Sequence, residues 1–95
     1  MENEEASYMQ AMITVVGKDR VGILAKVSQE CANANVNIVD VAQTVMSGYF
    51  TMSMLVNIDE MKMAFDSFRK ELETVLPDMR VAVMHEDIFR SMHRI

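Results

Sequence analysis

The residues with the clearest chemical potential lie together in one short segment, Gly17-Lys18-Asp19-Arg20-Val21-Gly22-Ile23. The segment follows an apolar run and precedes a helical pattern, so it links a strand to a helix. Gly17 lets the chain turn where the strand ends, and Gly22 lets a ligand or another backbone approach the first helical turn. Unpaired amides and the positive end of the helix dipole favour a carboxylate there, and Asp19 is available to an ammonium group. The segment therefore suits a free amino acid as ligand.

A purely structural role explains the same segment. Two glycines that enclose three charged residues can connect a strand to a helix, with Asp19 as the helix cap and with Lys18 and Arg20 in solvent. Spacing alone leaves both interpretations open.

A second group of polar residues lies near the C-terminus, where His85, Glu86, Asp87 and His93 fall within nine positions. Imidazole and carboxylate groups bind metal ions, but these two histidines are not four apart on a helix, and no thiolate lies nearby. We predict a solvated tail, no metal site and no cofactor. Cys31 is the only cysteine, which excludes an internal disulfide and favours a small buried hydrophobe.

Catalysis and nucleic-acid binding are both poorly supported. An acyl-phosphate hydrolase would need an arginine that grips the anion and an asparagine that orients water, and the segment from Gly17 to Arg20 satisfies this only loosely. RNA binding through a sheet requires exposed aromatics on central strands with basic surroundings, whereas the first strand offers Met12, Ile13 and Thr14. The net charge of −5 also repels phosphate backbones. Since no nucleophile, tuned base or metal is assembled, we predict that the chain is not an enzyme.

Length and composition indicate one small globular domain. A chain of 95 residues with 51% hydrophobic residues can bury a core, yet its size makes association with a partner favourable. Residues 1–8 contain three glutamates and no apolar periodicity, so we expect a disordered acidic tail. No apolar stretch approaches the roughly 18 residues that span a bilayer, which leads us to expect a cytoplasmic protein without a membrane partner.

The first half of the chain predicts a strand, a helix and a hairpin. The run from Met9 to Gly17 predicts a central strand, and a helix from about Val21 to Asn35 follows, with its apolar stripe at Leu24, Val27, Cys31 and Ala34. Residues 36–46 form the next strand. Ser47 and Gly48 supply a tight turn, and residues 49–58 return as a strand with strict apolar alternation.

The second half predicts a helix, a strand and a terminal helix. Asp59 is a candidate N-cap, and apolar residues then recur at helical spacing until Pro77 stops the helix. A fourth strand alternates through Met79, Val81 and Val83. The tail predicts one or two helical turns that Asp87 could cap, with three residues packed inward, Ile88, Phe89 and Met92.

This order, β-α-β-β-α-β, predicts an α+β ferredoxin-like fold with a four-stranded antiparallel sheet, two helices on one face and a short C-terminal helix. The apolar stripe from Phe50 to Ile58 should face the helices. The opposite face, with Thr51, Ser53, Leu55 and Asn57, should be open to water or to another copy.

Two segments resemble the signature of ACT domains, which combines a G-x-D-x-x-G-[IL] turn with an N-[IV]-x strand start. They are VVGKDRVGIL at residues 15–24 and NVNIVDVAQT at residues 35–44, with about 14 residues from Ile23 to Asn37. The length, the hairpin and the ending IFRSMHRI resemble the small stand-alone ACT proteins of bacteria and archaea that were long left uncharacterised. The resemblance covers residues 9–95, which we expect to form the ACT-like domain.

The resemblance implies a small regulatory module, a homodimer or higher homo-oligomer that binds an amino acid or related small carboxylate at a subunit interface. By the same resemblance the ligand-binding residues are Gly17, Lys18, Asp19, Arg20, Val21, Gly22, Ile23, Asn37 and Ile38. ACT domains are commonly attached to catalytic or DNA-binding domains, and we expect this chain to act through another protein instead. The alternative is a ligand-free dimerisation or interaction module that docks onto a larger enzyme or regulator.

Overall fold

A four-stranded antiparallel sheet forms the framework of the chain in a computed structural model that describes residues 9–92. Its strands are β1 (Gln10–Lys18), β2 (Asn37–Met46), β3 (Tyr49–Asn57) and β4 (Arg80–His85), in the spatial order β2-β3-β1-β4. The helices are α1 (Ile23–Asn33), α2 (Phe65–Val75) and α3 (Glu86–Met92). This arrangement confirms the predicted ferredoxin-like fold. The predicted tail at residues 1–8 lies outside the described residues.

The strand register gives the sheet two distinct ends. Lys18 pairs with Tyr49 at one end, whereas Gln10 and Asn37 both pair with Asn57 at the other. The first end, called the turn end below, carries the β1–α1 connection, the β2–β3 turn and the α2–β4 connection. The second, called the far end, carries the α1–β2 and β3–α2 connections and the start of α3.

The core lies between the sheet and the first two helices. Alternate residues of β1 and β3 point toward the helices and are buried, and α1 and α2 cover them, so that the largest fully buried side chains are those of Phe68, Ile13, Met52, Met54, Leu72 and Leu76. Among the described residues no polar or charged side chain is buried. The predicted stripe on β3 is therefore confirmed.

The stripe of α1 differs by one residue from the prediction. Ile23, Val27 and Cys31 are buried at spacings of four, while Leu24 is 37% exposed. The helix begins at Ile23, directly after Gly22, which has the left-handed φ of 91°. That turn aims Ile23 into the core and leaves Leu24 at the border of the buried face.

The second helix, α2, begins later than the sequence predicts. Asp59 does not cap the helix, because α2 begins at Phe65 after Ala64. The Asp59 carboxylate instead accepts a hydrogen bond of 2.7 Å from the backbone N–H of Met9, and so holds the entry to β1. Irregular chain fills the interval, where Lys62 N–H donates to the carbonyl of Ala34 over 2.9 Å.

The third helix follows β4 without a loop. Because α3 begins at Glu86, Asp87 lies inside its first turn and is not the N-cap. Ile88 is 53% exposed, so the prediction that it packs inward is wrong, whereas Phe89 is half-buried as expected. The side chain of Met92 lies outside the described part. No helix within residues 9–92 is long and apolar enough to cross a bilayer.

Candidate functional site

Gly22 sets the geometry at the start of α1. It is the N-cap residue with φ 91° and ψ 5°, a conformation that residues with a Cβ rarely adopt. A Cβ at this position would meet nothing within 4 Å, so the requirement for glycine is conformational and not a matter of space. No side chain among the described residues caps the helix, so Asp19 does not play the capping role considered from the sequence. The amides of the first turn are left without a side-chain acceptor.

Gly17 is required for a different reason. A Cβ on Gly17 would lie 2.7 Å from Sδ and 3.0 Å from Cε of Met79. The α2–β4 connection thus packs directly on the end of β1, and the thioether of Met79 occupies the space that a larger residue would need.

Two further contacts hold the β1–α1 connection at the turn end. The backbone N–H of Asp19 donates to the carbonyl of Gly48 over 2.9 Å. That carbonyl belongs to the hairpin turn, where Ser47 and Gly48 both have positive φ, of 52° and 83°. Arg20 Nη1 lies 3.9 Å from Asp78 Oδ2 on the surface, which is a weak ion pair.

The predicted ligand residues in this connection differ in what they can offer. Lys18, Asp19 and Arg20 are exposed, and the Asp19 carboxylate has no hydrogen bond or ion pair within the described chain. Val21 is 98% exposed, which is unusual for an apolar side chain. Ile23 is a core residue, so only its backbone faces the connection.

The other two predicted ligand residues, Asn37 and Ile38, lie at the far end of the sheet. The register separates them from the β1–α1 connection by the length of β1, about 26 Å at 3.3 Å per residue. Asn37 is exposed in a groove of about 380 Å³ that it lines with Ala32, Asn35, Val36 and Glu60, whereas Ile38 packs against the core. One chain therefore does not bring the two halves of the predicted site together.

The outer edge of β2 has no paired strand in the part of the chain that the structure describes. Val39, Val45 and Met46 are all exposed on it, Met46 by 68%. The register slips between Ile38 and Asp40, so Val39 forms a β-bulge. A long, apolar edge strand is a site where another chain can pair.

A recess that the sequence patterns do not predict lies beside the β1–α1 connection. It has a volume of about 650 Å³, opens at the β4 edge of the turn end, and its lining includes Val16, Leu76, Pro77, Asp78, Met79 and Arg80. Arg80 has no ion pair within the described residues. Only the Pro77-Asp78 turn hinted at it in the sequence, because the recess depends on the packing of α2 against β4.

The polar residues near the C-terminus do not form a metal site among residues 9–92. His85 stacks on Phe65 with ring centroids 4.3 Å apart, and Glu86 pairs with Arg90 at 2.7 Å. His93 lies outside the described residues. The buried thiol of Cys31 is no nucleophile at neutral pH, since desolvation raises its pKa to about 11.

Comparison with known proteins identifies the family. An ACT domain family model matches residues 9–87. A UPF0237 protein of Listeria monocytogenes is 46% identical over 89 residues, covering 92% of this chain and 100% of the relative. One from the archaeon Methanocaldococcus jannaschii is 44% identical over 88 residues, covering 90% and 98%.

Similarity to a solved structure indicates the same family. The ACT domain protein from Streptococcus pneumoniae is 42% identical and superimposes with a TM-score of 0.71, covering 85% of this chain and 93% of that one. The fold, the family model and the full-length relatives agree, and the chain belongs to the ACT domain family of regulatory modules.

Proposed function

We propose that this chain is a regulatory module that binds an amino acid or a related small carboxylate at a site completed by a second copy. One observation carries the proposal. The β1–α1 connection and Asn37 lie at opposite ends of one sheet, and β2, the edge strand that begins at Asn37, has an unpaired outer edge within residues 9–92. A second copy paired antiparallel along β2 runs in the opposite direction, so its Asn37 lies at the turn end of the first copy.

The chemistry of the two halves is complementary to an amino acid. Uncapped amides at the start of α1 favour the carboxylate. The free carboxylate of Asp19 suits the ammonium group, and the Asn37 amide of the other copy can donate and accept hydrogen bonds. Gly17 and Gly22 fix the backbone that presents these groups, and Lys18, Arg20 and Val21 border them.

Ligand binding is tested by thermal unfolding with each of the twenty amino acids at millimolar concentration. A true ligand raises the melting temperature in proportion to the logarithm of its concentration. Absence of any such shift contradicts ligand binding.

A mixing experiment tests whether the site is shared between copies. Asp19→Ala and Asn37→Ala should each abolish binding alone, because each removes one half of both sites in a dimer. Mixed in equal amounts, they form a heterodimer with one intact site, and binding returns to about one quarter of the wild-type capacity. Lys62→Ala, an exposed residue away from the turn end, is the control and binds normally. A mixture that stays inactive places the site within one chain and refutes the shared arrangement.

A further inference from the structure

The sheet has a second surface, the face opposite α1 and α2, which we call the outer face. Strand pairing arranges its middle into three rows of side chains. The central row contains only small residues, Ala42, Ser53, Thr14 and Ala82. The row toward the turn end is Thr44, Thr51, Val16 and Arg80, and the row toward the far end is Asp40, Leu55, Met12 and Met84.

Charge on these three rows is confined to two corners. Asp40 stands at the β2 edge in the far-end row, and Arg80 stands at the β4 edge in the turn-end row. They lie on one diagonal and carry opposite charges. Arg80 has no ion pair in the described chain, and Asp40 uses one carboxylate oxygen to accept the N–H of Val41 over 2.9 Å. When a second copy of the face is laid on the first after a rotation of 180°, the negative corner of each copy can therefore lie over the positive corner of the other.

The shape of the outer face is also complementary to itself. Met12, Ala42, Ser53 and Leu55 line a shallow recess of about 170 Å³ toward its far-end, β2 side, and Asp40 and Val41 complete the lining. On the other side of the diagonal's midpoint, Val16 is 42% exposed. The face thus pairs a depression on one half with an exposed apolar side chain on the other.

We propose that the outer face packs against the outer face of a second copy, about a two-fold axis that lies between the sheets and perpendicular to the Asp40–Arg80 diagonal. This axis exchanges the two corners, so Asp40 of each copy meets Arg80 of the other. It also carries Val16 of each copy over the Ala42 side of the other copy's recess. The strands of the two sheets then cross at nearly a right angle, which is one of the two common modes of sheet packing.

The size of the contact fits a reversible association. Four strands spaced about 4.8 Å apart give a face about 19 Å wide, so two crossed sheets overlap over roughly 20 Å in each direction. That overlap, about 400 Å² on each copy, lies below the range of stable specific interfaces and within the range of weak, transient ones. It lies across the sheet from the helices and uses side chains on the outer face of β2, such as Asp40 and Ala42, and not the unpaired backbone of that strand.

Charge reversal tests the outer-face contact. Asp40→Arg and Arg80→Asp each place like charges at both corners, and each should weaken association about tenfold or more. An equal mixture of the two variants restores both corner pairs in a heterodimer, because arginine at position 40 meets aspartate at position 80 and the native Asp40 meets the native Arg80. Sedimentation velocity should therefore show a lower mass for each variant alone and the wild-type mass for the mixture.

Two further variants separate this contact from general effects of charge. Glu71→Arg on α2 and Lys62→Asp in the β3–α2 connection change the net charge equally but lie away from the outer face, and both should keep the wild-type mass. Circular dichroism checks that every variant is folded. The proposal is overturned if the wild type does not associate, if either corner variant keeps the wild-type mass, if the mixture fails to regain it, or if a control lowers it equally.

Discussion

At the scale of single residues, Cys31 shows how burial changes the pKa of a side chain. Its side chain is 1% exposed on the inner face of α1, and desolvation, together with the nearby charge of Glu30, raises the pKa of the thiol to about 11. The sequence predicted this burial correctly from the helical spacing of Val27, Cys31 and Ala34, because local periodicity is enough to place a residue on a helix face.

Because the pKa of the Cys31 thiol is raised, the free energy of unfolding depends on pH in the alkaline range. Above pH 9 the unfolded thiol ionises while the folded thiol keeps its proton, so the free energy of unfolding falls as pH rises from about 9 toward 11. The slope from this one group approaches about 1.4 kcal/mol per pH unit. Urea unfolding between pH 7 and 10.5 should show a steeper decline for the wild type than for Cys31→Ala, which lacks the thiol. Parallel declines would mean that the thiol ionises equally in both states.

At the scale of elements, the sequence predicted local structure better than contacts between distant segments. The order of strands and helices followed from periodicity and from breakers such as Pro77. The residue type of Asp59 predicts a helix cap, but its carboxylate instead accepts a hydrogen bond from the backbone N–H of Met9. Similarly, Gly17 was recognised as a turn residue, while its contact with Met79 depends on how the α2–β4 connection packs.

The contact between Gly17 and Met79 can be measured with a double-mutant cycle. Gly17→Ala forces the Met79 side chain aside and should lower the free energy of unfolding by about 1–2 kcal/mol. Met79→Ala removes the obstructing atoms, so adding Gly17→Ala in that background should cost distinctly less. Gly48→Ala is the comparison, because its cost comes from a φ of 83° with nothing within 4 Å, and Met79→Ala should not relieve it. Equal costs of Gly17→Ala in both backgrounds would contradict steric coupling.

At the scale of the whole molecule, the candidate site could be predicted only as two separate segments. The motif around Gly17 and Gly22 and the strand start at Asn37 are both recognisable in the sequence. Their placement at opposite ends follows from strand order and register, which local patterns do not contain. The sequence therefore indicates which residues to consider, but not that one chain holds them at opposite ends of its sheet.

A site shared between two copies couples ligand binding to association. Because the ligand binds only the paired form, it must strengthen pairing, and by linkage pairing must strengthen its binding. The apparent affinity for an amino acid should consequently fall when the protein is diluted below its dimerisation constant. Titration calorimetry at several protein concentrations measures this dependence. Val45→Lys places a charge on the β2 edge and should weaken both pairing and binding, whereas Glu71→Arg on α2 lies away from that edge and should leave both unchanged. An affinity that does not vary with protein concentration would instead require a complete site within one chain, for which the recess beside Arg80 is the alternative location.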